Sequence, residues 1–230
     1  MNFNKKYGAI IFSRYDSNRL YGKALIDIEG RCLLGRVIDR ARLIKGINKL
    51  IVATSDRSID DPIHKFAISQ GVETFRGSCN DVYGRAMDAC EYFKFDVFAR
   101  ICGGRPFLDY ELISKGLKIF ADNKYDIVTT MFPRSYPPGL TTEIIRRDLL
   151  KKFNKRIIDN KDREHLTTFF YENPNDIKIK NIENENFNKI KNLRLVDNSF
   201  LISLDVKMPF SNRLDKVFKI FSELFMLHLI

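Results

Sequence analysis

The chain has 230 residues, 44% of them hydrophobic and 12% aromatic, which suffices for one large domain and excludes a disordered chain. Its net charge of +10 admits nucleic acid, an anionic membrane surface or phosphorylated small molecules as partners, although lysine spread along the chain gives the same charge without function. The four cysteines (Cys32, Cys79, Cys90 and Cys102) include no CxxC pair, which indicates reduced core residues rather than a disulfide framework. No apolar stretch reaches the roughly 18 residues of a membrane span, and "GAIIF" is too short for a secretory signal, so we expect a cytoplasmic protein.

The first 130 or so residues alternate between strand and helix patterns. Short β-rich apolar runs predict strands at "YGAIIFS", "NKLIVAT", "GVETF", "DVFARI" and "DIVTTM". Apolar residues at helical spacing predict helices over 33–44, 60–70, 81–94 and 110–121. This βαβα series predicts an α/β fold with a mostly parallel sheet, in which ligands bind beyond the carboxyl ends of the strands. The candidate site segments are therefore 14–23, 55–61, 76–81 and 102–109.

The pattern weakens after about residue 132. The segment "FPRSYPPGLTTE" has three prolines and a glycine, which predicts a protruding loop or β-ribbon rather than a central strand. The segment "IKIKNIENENFNKIKN" reads as a solvated edge strand and loop rather than a nucleic-acid arm. In the rest we predict helices over 146–154, 162–171 and 211–227 and short strands near 177–182 and 192–196.

The stretch "FSRYDSNRLYGK" after the first predicted strand places Arg14, Arg19 and Lys23 within ten residues. Such close cations repel one another unless an anion lies between them. Ser17 and Gly22 allow backbone amides to approach a phosphate chain closely. Because the spacings GxxxxGK[ST] and GxGxxG are both missing, a phosphate site and a solvated basic turn stay open as alternatives.

Several segments together resemble one family. "RYDSNRLYGKAL" resembles the "ARxxSxRLPGKxL" signature of sugar-activating nucleotidyltransferases, and most closely the cytidylyltransferase family of the spore coat polysaccharide biosynthesis protein F type, related to the enzymes making CMP-Kdo and CMP-sialic acid. "LIVATSDRSIDDPI" resembles "IVVATTDxxxDDPI", "FRGSCNDVYGR" resembles "FRGSxxDVLxR", and "DVFARICGGRPFLD" resembles "DVVVRITGDCPLID". "YPPGLTTE" resembles "YPxGLDVE", and "REHLT" resembles "REHVT". The matches run in order from about residue 8 to 172, which is more specific than any single motif.

The resemblance implies a three-layer, glycosyltransferase-A-like (Rossmann-like) fold with a protruding β-ribbon or dimerisation arm. It implies one domain over 1–230, with a nucleotide-binding half over about 1–132 and an acceptor-binding and dimerisation half over 133–230. The implied reaction joins CTP to a sugar acid or a related anionic acceptor such as a phosphonate and releases pyrophosphate, for surface polysaccharide or glycan biosynthesis. A homodimer is expected, and neither nucleic acid nor a membrane is expected as a partner.

The resemblance also implies roles for single residues. The triphosphate is held by Arg14, Arg19 and Lys23. We add Arg105 to this catalytic set because of its charge beside Gly104, not because of the resemblance. The nucleotide-binding set is Ser17, Gly22, Arg76, Asp81, Arg85 and Arg100, and the acceptor-binding set is Glu143 and His165.

Ordinary structural roles compete with these assignments. The alternatives are a helix cap for Asp81, a solvated helix residue for Arg85, a structural ion-pair partner for Arg100 and a packed helix residue for His165. Asp60 and Asp61 precede Pro62, an order that predicts capping of a helix start.

The departures from the motifs bear on the chemistry. Tyr21 replaces a proline, Thr141 replaces an aspartate, and Gly104 replaces the aspartate of "TGDCP". The resemblance implies that this aspartate helps to bind Mg²⁺ together with a second acid, which Asp205 matches here. Because Gly104 supplies no carboxylate, we expect a weakened Mg²⁺ site.

Arg105, next to Gly104, offers a physical alternative in which its guanidinium neutralises phosphate charge in place of a metal. The chain would then use less Mg²⁺, or bind a different acceptor such as one with a carboxylate or phosphonate. A degenerate relative that binds nucleotide without catalysis is a second hypothesis, and a nucleic-acid-binding module is a third.

Overall fold

The computed structural model describes residues 5–16, 20–28, 30–122 and 124–190. Their strands are β1 (Tyr7–Phe12), β2 (Asp27–Ile28), β3 (Arg31–Cys32), β4 (Lys49–Ser55), β5 (Glu73–Gly77), β6 (Val97–Cys102), β7 (Ile127–Thr129), β8 (Glu143–Arg146) and β9 (Ile179–Asn181). Their α-helices are α1 (Leu33–Ala41), α2 (Asp61–Ser69), α3 (Val82–Phe93), α4 (Tyr110–Ala121), α5 (Arg147–Phe153), α6 (Asn160–His165), α7 (Thr168–Glu172) and α8 (Phe187–Ile190). Short 3₁₀ turns cover Lys23–Leu25, Ser58–Asp60 and Pro174–Asp176.

Seven strands form one sheet in the order β5-β4-β1-β6-β8-β7-β9. The neighbouring pairs are parallel except those of β8, which runs antiparallel to β6 and β7. β2 and β3 form a separate two-stranded hairpin. The carboxyl ends of β1, β4, β5 and β6 therefore share one edge, as the βαβα pattern predicts.

Helices cover both faces of this sheet. One apolar core joins the sheet to α1, α2 and α4, through residues such as Val37, Ile63 and Leu117. The other core joins it to α3, α5 and α7, through residues such as Tyr83 and Phe170. Because both faces are covered, the inner parallel strands read as nearly continuous apolar runs. The predicted three-layer, mostly parallel α/β architecture is confirmed.

The predicted elements of the first half are present within a few residues of their expected bounds. The helix expected over 146–154 is α5, and β9 lies at the sheet edge as expected for its solvated sequence. The strand expected near 192–196 and the helix expected over 211–227 lie outside the described residues. None of the described helices has the length and apolar character needed to cross a membrane.

The prediction of one helix over 162–171 is wrong, because the chain forms two shorter helices there, α6 and α7. Leu166 lies at the break with φ 56° and ψ −45°, and its side chain is fully buried. A leucine rarely adopts a positive φ, so helical spacing gives no sign of the break.

The segment between β7 and β8 does not form the expected protruding arm. Residues 132–134 are exposed, but Tyr136, Leu140 and Thr142 are buried. The Ser135 hydroxyl donates to the Ile182 carbonyl at 2.6 Å, which ties the segment to the end of β9. The chain crosses the carboxyl edge of the sheet here and returns as β8, a strand that the sequence patterns did not predict.

The cysteine prediction is correct in one respect and wrong in another. All four thiols are free, but only Cys90 is buried in the core. Cys102 is exposed because it ends β6 at the carboxyl edge of the sheet.

Candidate functional site

The loop after β1 rests on the loop after β4. The Tyr15 backbone N–H donates to Asp60 Oδ1 at 2.6 Å, and the Asp16 carboxylate pairs with Arg57 at 2.6 Å. The loop after β6 closes in from the other side, because the Gly103 N–H donates to the Phe12 carbonyl at 2.9 Å. A Cβ at position 103 would lie 2.8 Å from Ser13 Cβ, so the close approach needs glycine. The predicted site segments therefore meet around the first loop.

Asp60 anchors the first loop rather than capping α2, so the capping prediction for Asp60 is wrong. Its fully buried carboxylate accepts from the Tyr15 N–H and the Ser55 hydroxyl, and Arg57 Nη2 lies 3.3 Å away. No side-chain bond caps α2, whose first turn contains Pro62. Proline supplies no N–H there, which lowers the need for a cap. Sequence analysis missed this role because Tyr15 and Asp60 are 45 residues apart.

A hydrogen bond joins the two described ends of the first loop. Gly22 has φ 68°, and its N–H donates to the Tyr15 carbonyl at 2.8 Å. Lys23 then begins the 3₁₀ turn. Tyr21, which replaces the motif's proline, packs edge-on against the Tyr15 ring at 5.2 Å between centroids. Ser17 and Arg19 lie outside the described residues.

Two guanidinium groups converge on the loop after β5. Arg14 Nη1 lies 3.5 Å from the Cys79 carbonyl and 3.2 Å from Cys79 Sγ, and Arg85 Nη1 lies 3.5 Å from the same carbonyl. Glu164 Oε1 is 3.9 Å from Arg14.

Arg85 is 2% exposed and donates to the Ser78 carbonyl at 2.6 Å, so it is not a solvated helix residue. Burial, and to a smaller extent the charge of Arg14, lowers the pKa of Arg85. No ion pair of Arg85 occurs among the described residues. The structure thus concentrates positive charge beside the first loop.

Arg76 and Asp81 hold neighbouring loops together. Arg76 donates to the carbonyls of Ser55 at 3.0 Å and Arg57 at 2.8 Å, and it pairs with Asp61 at 2.7 Å. Asp81 caps α3 by accepting from the Gly84 N–H at 2.7 Å, and its other oxygen pairs with Arg163 at 2.6 Å. The capping alternative for Asp81 is therefore what the geometry shows.

A second charged cluster lies where β6 meets the start of β8. Arg100 Nη1 pairs with Glu143 Oε2 at 2.7 Å. Glu143 Oε1 accepts from the Thr167 hydroxyl at 2.7 Å and from the Tyr171 hydroxyl at 2.8 Å. Burial alone would raise the pKa of Glu143, but Arg100 and the two hydroxyls outweigh it and hold that pKa below its ordinary value. Arg100 is thus a structural ion-pair partner as well as a residue of the crevice.

Thr167 and Tyr171 are site residues that the sequence analysis missed. Thr167 belongs to "REHLT", which was singled out for His165 alone. Its hydroxyl also lies 3.2 Å from Arg100 Nη1. His165 itself is exposed at the last residue of α6, so the packed-helix alternative does not hold for it.

Arg105 lies beside this second cluster. Its guanidinium donates to the hydroxyl of Thr141, which is buried, and its charge contributes to lowering the pKa of Glu143. Gly104 lies in the preceding turn and supplies no side chain. Asp205 is outside the described residues. Within the described ranges, no three or more His, Cys, Asp or Glu side chains are grouped to hold a metal ion.

Arg14 and Lys23 flank the first loop with Arg85 beside Arg14, and Arg100 and Arg105 lie near the start of β8. This concentration of positive charge at the carboxyl edge of the sheet suits an anionic ligand. The family model described as cytidylyltransferase matches residues 8–217. The chain belongs to the cytidylyltransferase family. The resemblance seen in the motifs is therefore confirmed, and with it the class of nucleotidyltransferases.

Individual proteins with similar sequences include two that are named for related roles. The chain is 35% identical over 186 residues to an uncharacterized protein of Methanocaldococcus jannaschii, covering 81% of this chain and 75% of the relative. It is 29% identical over 179 residues to the spore coat polysaccharide biosynthesis protein SpsF of Bacillus subtilis, covering 76% and 73%. It is 34% identical over 120 residues to the 3-deoxy-manno-octulosonate cytidylyltransferase of Fusobacterium nucleatum, covering 52% of this chain and 48% of that protein.

Solved structures share the fold. A cytidylyltransferase from Leptospira borgpetersenii matches with a TM-score of 0.82 and 27% identity, over 95% of this chain and 96% of that one. A CMP:2-keto-3-deoxy-manno-octonic acid synthetase complexed with CTP matches with a TM-score of 0.63 and 19% identity, over 78% of this chain and 90% of that one. At that identity the second match supports the fold alone.

Proposed function

We propose that this cytidylyltransferase binds CTP along its first loop and transfers the cytidylyl group to an anionic acceptor, either a sugar acid or a phosphonate. The observation that carries the proposal is the hydrogen bond from the Gly22 N–H to the Tyr15 carbonyl, which brings together the two ends of the first loop, where Arg14 and Lys23 lie, at the carboxyl edge of the sheet. The SpsF and 3-deoxy-manno-octulosonate relatives support CTP as the donor and a role in surface polysaccharide or glycan synthesis.

Arg14, Lys23 and, by the motif, Arg19 bind the triphosphate. Ser17 and Gly22 bring the loop backbone close to the phosphates. Arg85 lies behind Arg14 and adds a buried positive charge that water screens poorly. Such a site favours nucleotidyl transfer because the protein contributes positioning and charge neutralisation rather than covalent chemistry.

In the transfer step, an acceptor oxygen forms a bond to the α-phosphorus and loses its proton. The bond from that phosphorus to the bridging oxygen breaks, and pyrophosphate leaves with the electron pair. Glu143 has three donors on its two oxygens, so it acts by orienting Arg100 and Thr167 toward the crevice. Arg100 and His165 then line the acceptor side.

The described residues do not match a complete Mg²⁺ ligand set. Asp16, Asp60, Asp81 and Glu143 each lie within ion-pair distance of an arginine, and Gly104 has no carboxylate. We propose that a Mg²⁺ ion, with Asp205 as its protein ligand, would be held mainly by nucleotide phosphate oxygens, which Mg²⁺ prefers. We derive no step of the reaction from it.

A pyrophosphate-release assay of the full chain with each NTP, against a panel of sugar acids, nonulosonic acids and phosphonates, tests the function. We expect release with CTP and at least one anionic acceptor. CTP binding without pyrophosphate release, for every acceptor and divalent metal tried, would favour the degenerate relative. The glycine at position 104, where the motif has an aspartate, is the observation that supports this alternative. Binding to an unrelated oligonucleotide in the same buffer, with none to CTP, would favour the nucleic-acid module.

The homodimer and the division of the chain near residue 132 stay predictions. Light scattering at assay concentration checks the homodimer.

A further inference from the structure

We propose that Arg105, held by Thr141, binds the negatively charged group of the acceptor and so selects carboxylate- or phosphonate-bearing acceptors over neutral sugars. The inference rests on the proposed function and assigns one subsite within it. Arg105 and Thr141 are 36 residues apart, and the structure joins them through the guanidinium-to-hydroxyl hydrogen bond. Since Thr141 is 5% exposed, it fixes one side of the guanidinium and leaves further N–H groups for a ligand.

The charge balance of this cluster is positive. Arg100 is neutralised by Glu143 at 2.7 Å, and the Glu143 oxygens are also occupied by Thr167 and Tyr171. Arg105 forms no ion pair with any residue that the structure describes. Its charge is therefore available to an anion, and a guanidinium fits carboxylate and phosphonate oxygens in a two-pronged geometry.

Three positions of this chain differ from the motifs in the same direction. Gly104 and Thr141 each stand where the motifs have an aspartate, and Arg105 stands where "TGDCP" has cysteine. Each difference makes the local charge more positive, and the Arg105–Thr141 contact shows that two of them touch. This chain thus lacks both aspartates of the motifs and has a guanidinium in contact with one of their positions, which suits an acidic ligand.

The sheet order separates this subsite from the triphosphate. β6 lies between β1 and β8. The first loop contacts the loop after β4 through the Tyr15–Asp60 hydrogen bond. Arg105 instead contacts Thr141, two residues before β8. Arg105 therefore faces the acceptor half, and Arg14 and Lys23 remain the phosphate ligands.

The test compares wild type with Arg105→Gln and Thr141→Asp, using CTP binding by calorimetry and pyrophosphate release. The acceptors are 3-deoxy-manno-octulosonate, N-acetylneuraminate and 2-hydroxyethylphosphonate, each beside its neutral counterpart, the methyl ester or, for the phosphonate, ethylene glycol. Thr141→Asp places a carboxylate against Arg105 without altering that arginine, and Arg42→Gln at the end of α1 is the matched loss of a charge elsewhere. We expect pyrophosphate release with the anionic acceptors and none with their neutral counterparts. Arg105→Gln and Thr141→Asp should each raise the KM for the anionic acceptor about 10- to 150-fold, which corresponds to the loss of one charge-assisted hydrogen bond. The Kd for CTP should stay within twofold of the wild-type value.

Equal use of a neutral counterpart would overturn the proposal. So would an unchanged acceptor KM, or variants that weaken CTP binding instead, since the latter would place Arg105 on the phosphates. A protein that binds CTP but uses no anionic acceptor of the panel also overturns it. Failure to bind CTP at all would defeat the cytidylyltransferase function itself, which separates the two ideas.

Discussion

The backbone N–H of Tyr15 lies 2.6 Å from the buried carboxylate of Asp60, so a residue from the loop after β4 holds the loop that follows β1. We expect Asp60→Ala to lower the free energy of unfolding by about 1–3 kcal/mol, because it leaves the Tyr15 N–H without its acceptor. The Kd for CTP should rise as well, since the first loop loses its support. Urea denaturation and calorimetry measure the two effects. Asp61→Ala is the control, because its partly exposed ion pair with Arg76 is worth about 1 kcal/mol or less, and equal losses in both variants would contradict the anchoring role.

The cations of the first loop give a second prediction. Lys23→Ala and Arg19→Ala should each raise the Kd for CTP about 10- to 150-fold, because each removes a charge-assisted contact to the triphosphate. The melting temperature should stay near that of wild type. Lys65→Ala, at an exposed position of α2, controls for the loss of net charge. Unchanged CTP titrations for both loop variants would show that the loop does not bind phosphate.

Arg85 gives a third prediction, since a buried guanidinium without a carboxylate partner among the described residues costs desolvation energy. Arg85→Met should change the free energy of unfolding by no more than about 1–2 kcal/mol, because methionine fills the apolar space and the exposed Ser78 can turn its carbonyl to water. The Kd for CTP should nevertheless rise at least tenfold. A large stability loss with unchanged CTP affinity would make Arg85 purely structural.

Glu143 gives a fourth prediction, for stability against pH. Its pKa in the folded protein lies below the ordinary glutamate value of about 4.3, so the unfolded chain binds more protons in that range. The stabilisation is complete above about pH 4.3 and is lost as pH falls through the lower, folded pKa. Urea midpoints between about pH 3 and 7 should therefore drop with acid more steeply for wild type than for Glu143→Gln. Tyr171→Phe removes one donor and so raises the folded pKa of Glu143, which should end its acid loss at a higher pH and make the total loss smaller than in wild type. Parallel curves for wild type and Glu143→Gln would refute the assignment.

The first half of the fold was predictable because its signals are local. β1, β4 and β6 are short apolar runs, β5 overlaps the β-rich segment "GVETF", and each following helix has its own apolar spacing. Since the carboxyl ends of parallel strands share one edge, the loops of the site also followed from the sequence.

The parts that failed depend on contacts between distant residues. β8 has four residues and follows a proline-rich segment, so its pairing with β6 and β7 leaves no local pattern. The break at Leu166 depends on burying that side chain against the second core. The same reason hides the roles of Asp60, Thr167 and Tyr171, whose partners lie 24 or more residues away.

The position of β8 between β6 and β7 constrains the order in which the sheet is built. β7 precedes β8 in the chain but pairs only with β8 and β9, so it has no place in the sheet until β8 has docked on β6. The four strands from β5 to β6 pair among themselves without this step. During synthesis the sheet edge that carries the first loop is thus able to form first, while β7 waits for residues 143–146 to emerge. Glu143 reaches Arg100 only through that same docking event, so the Arg100–Glu143 ion pair and the last part of the sheet are completed together.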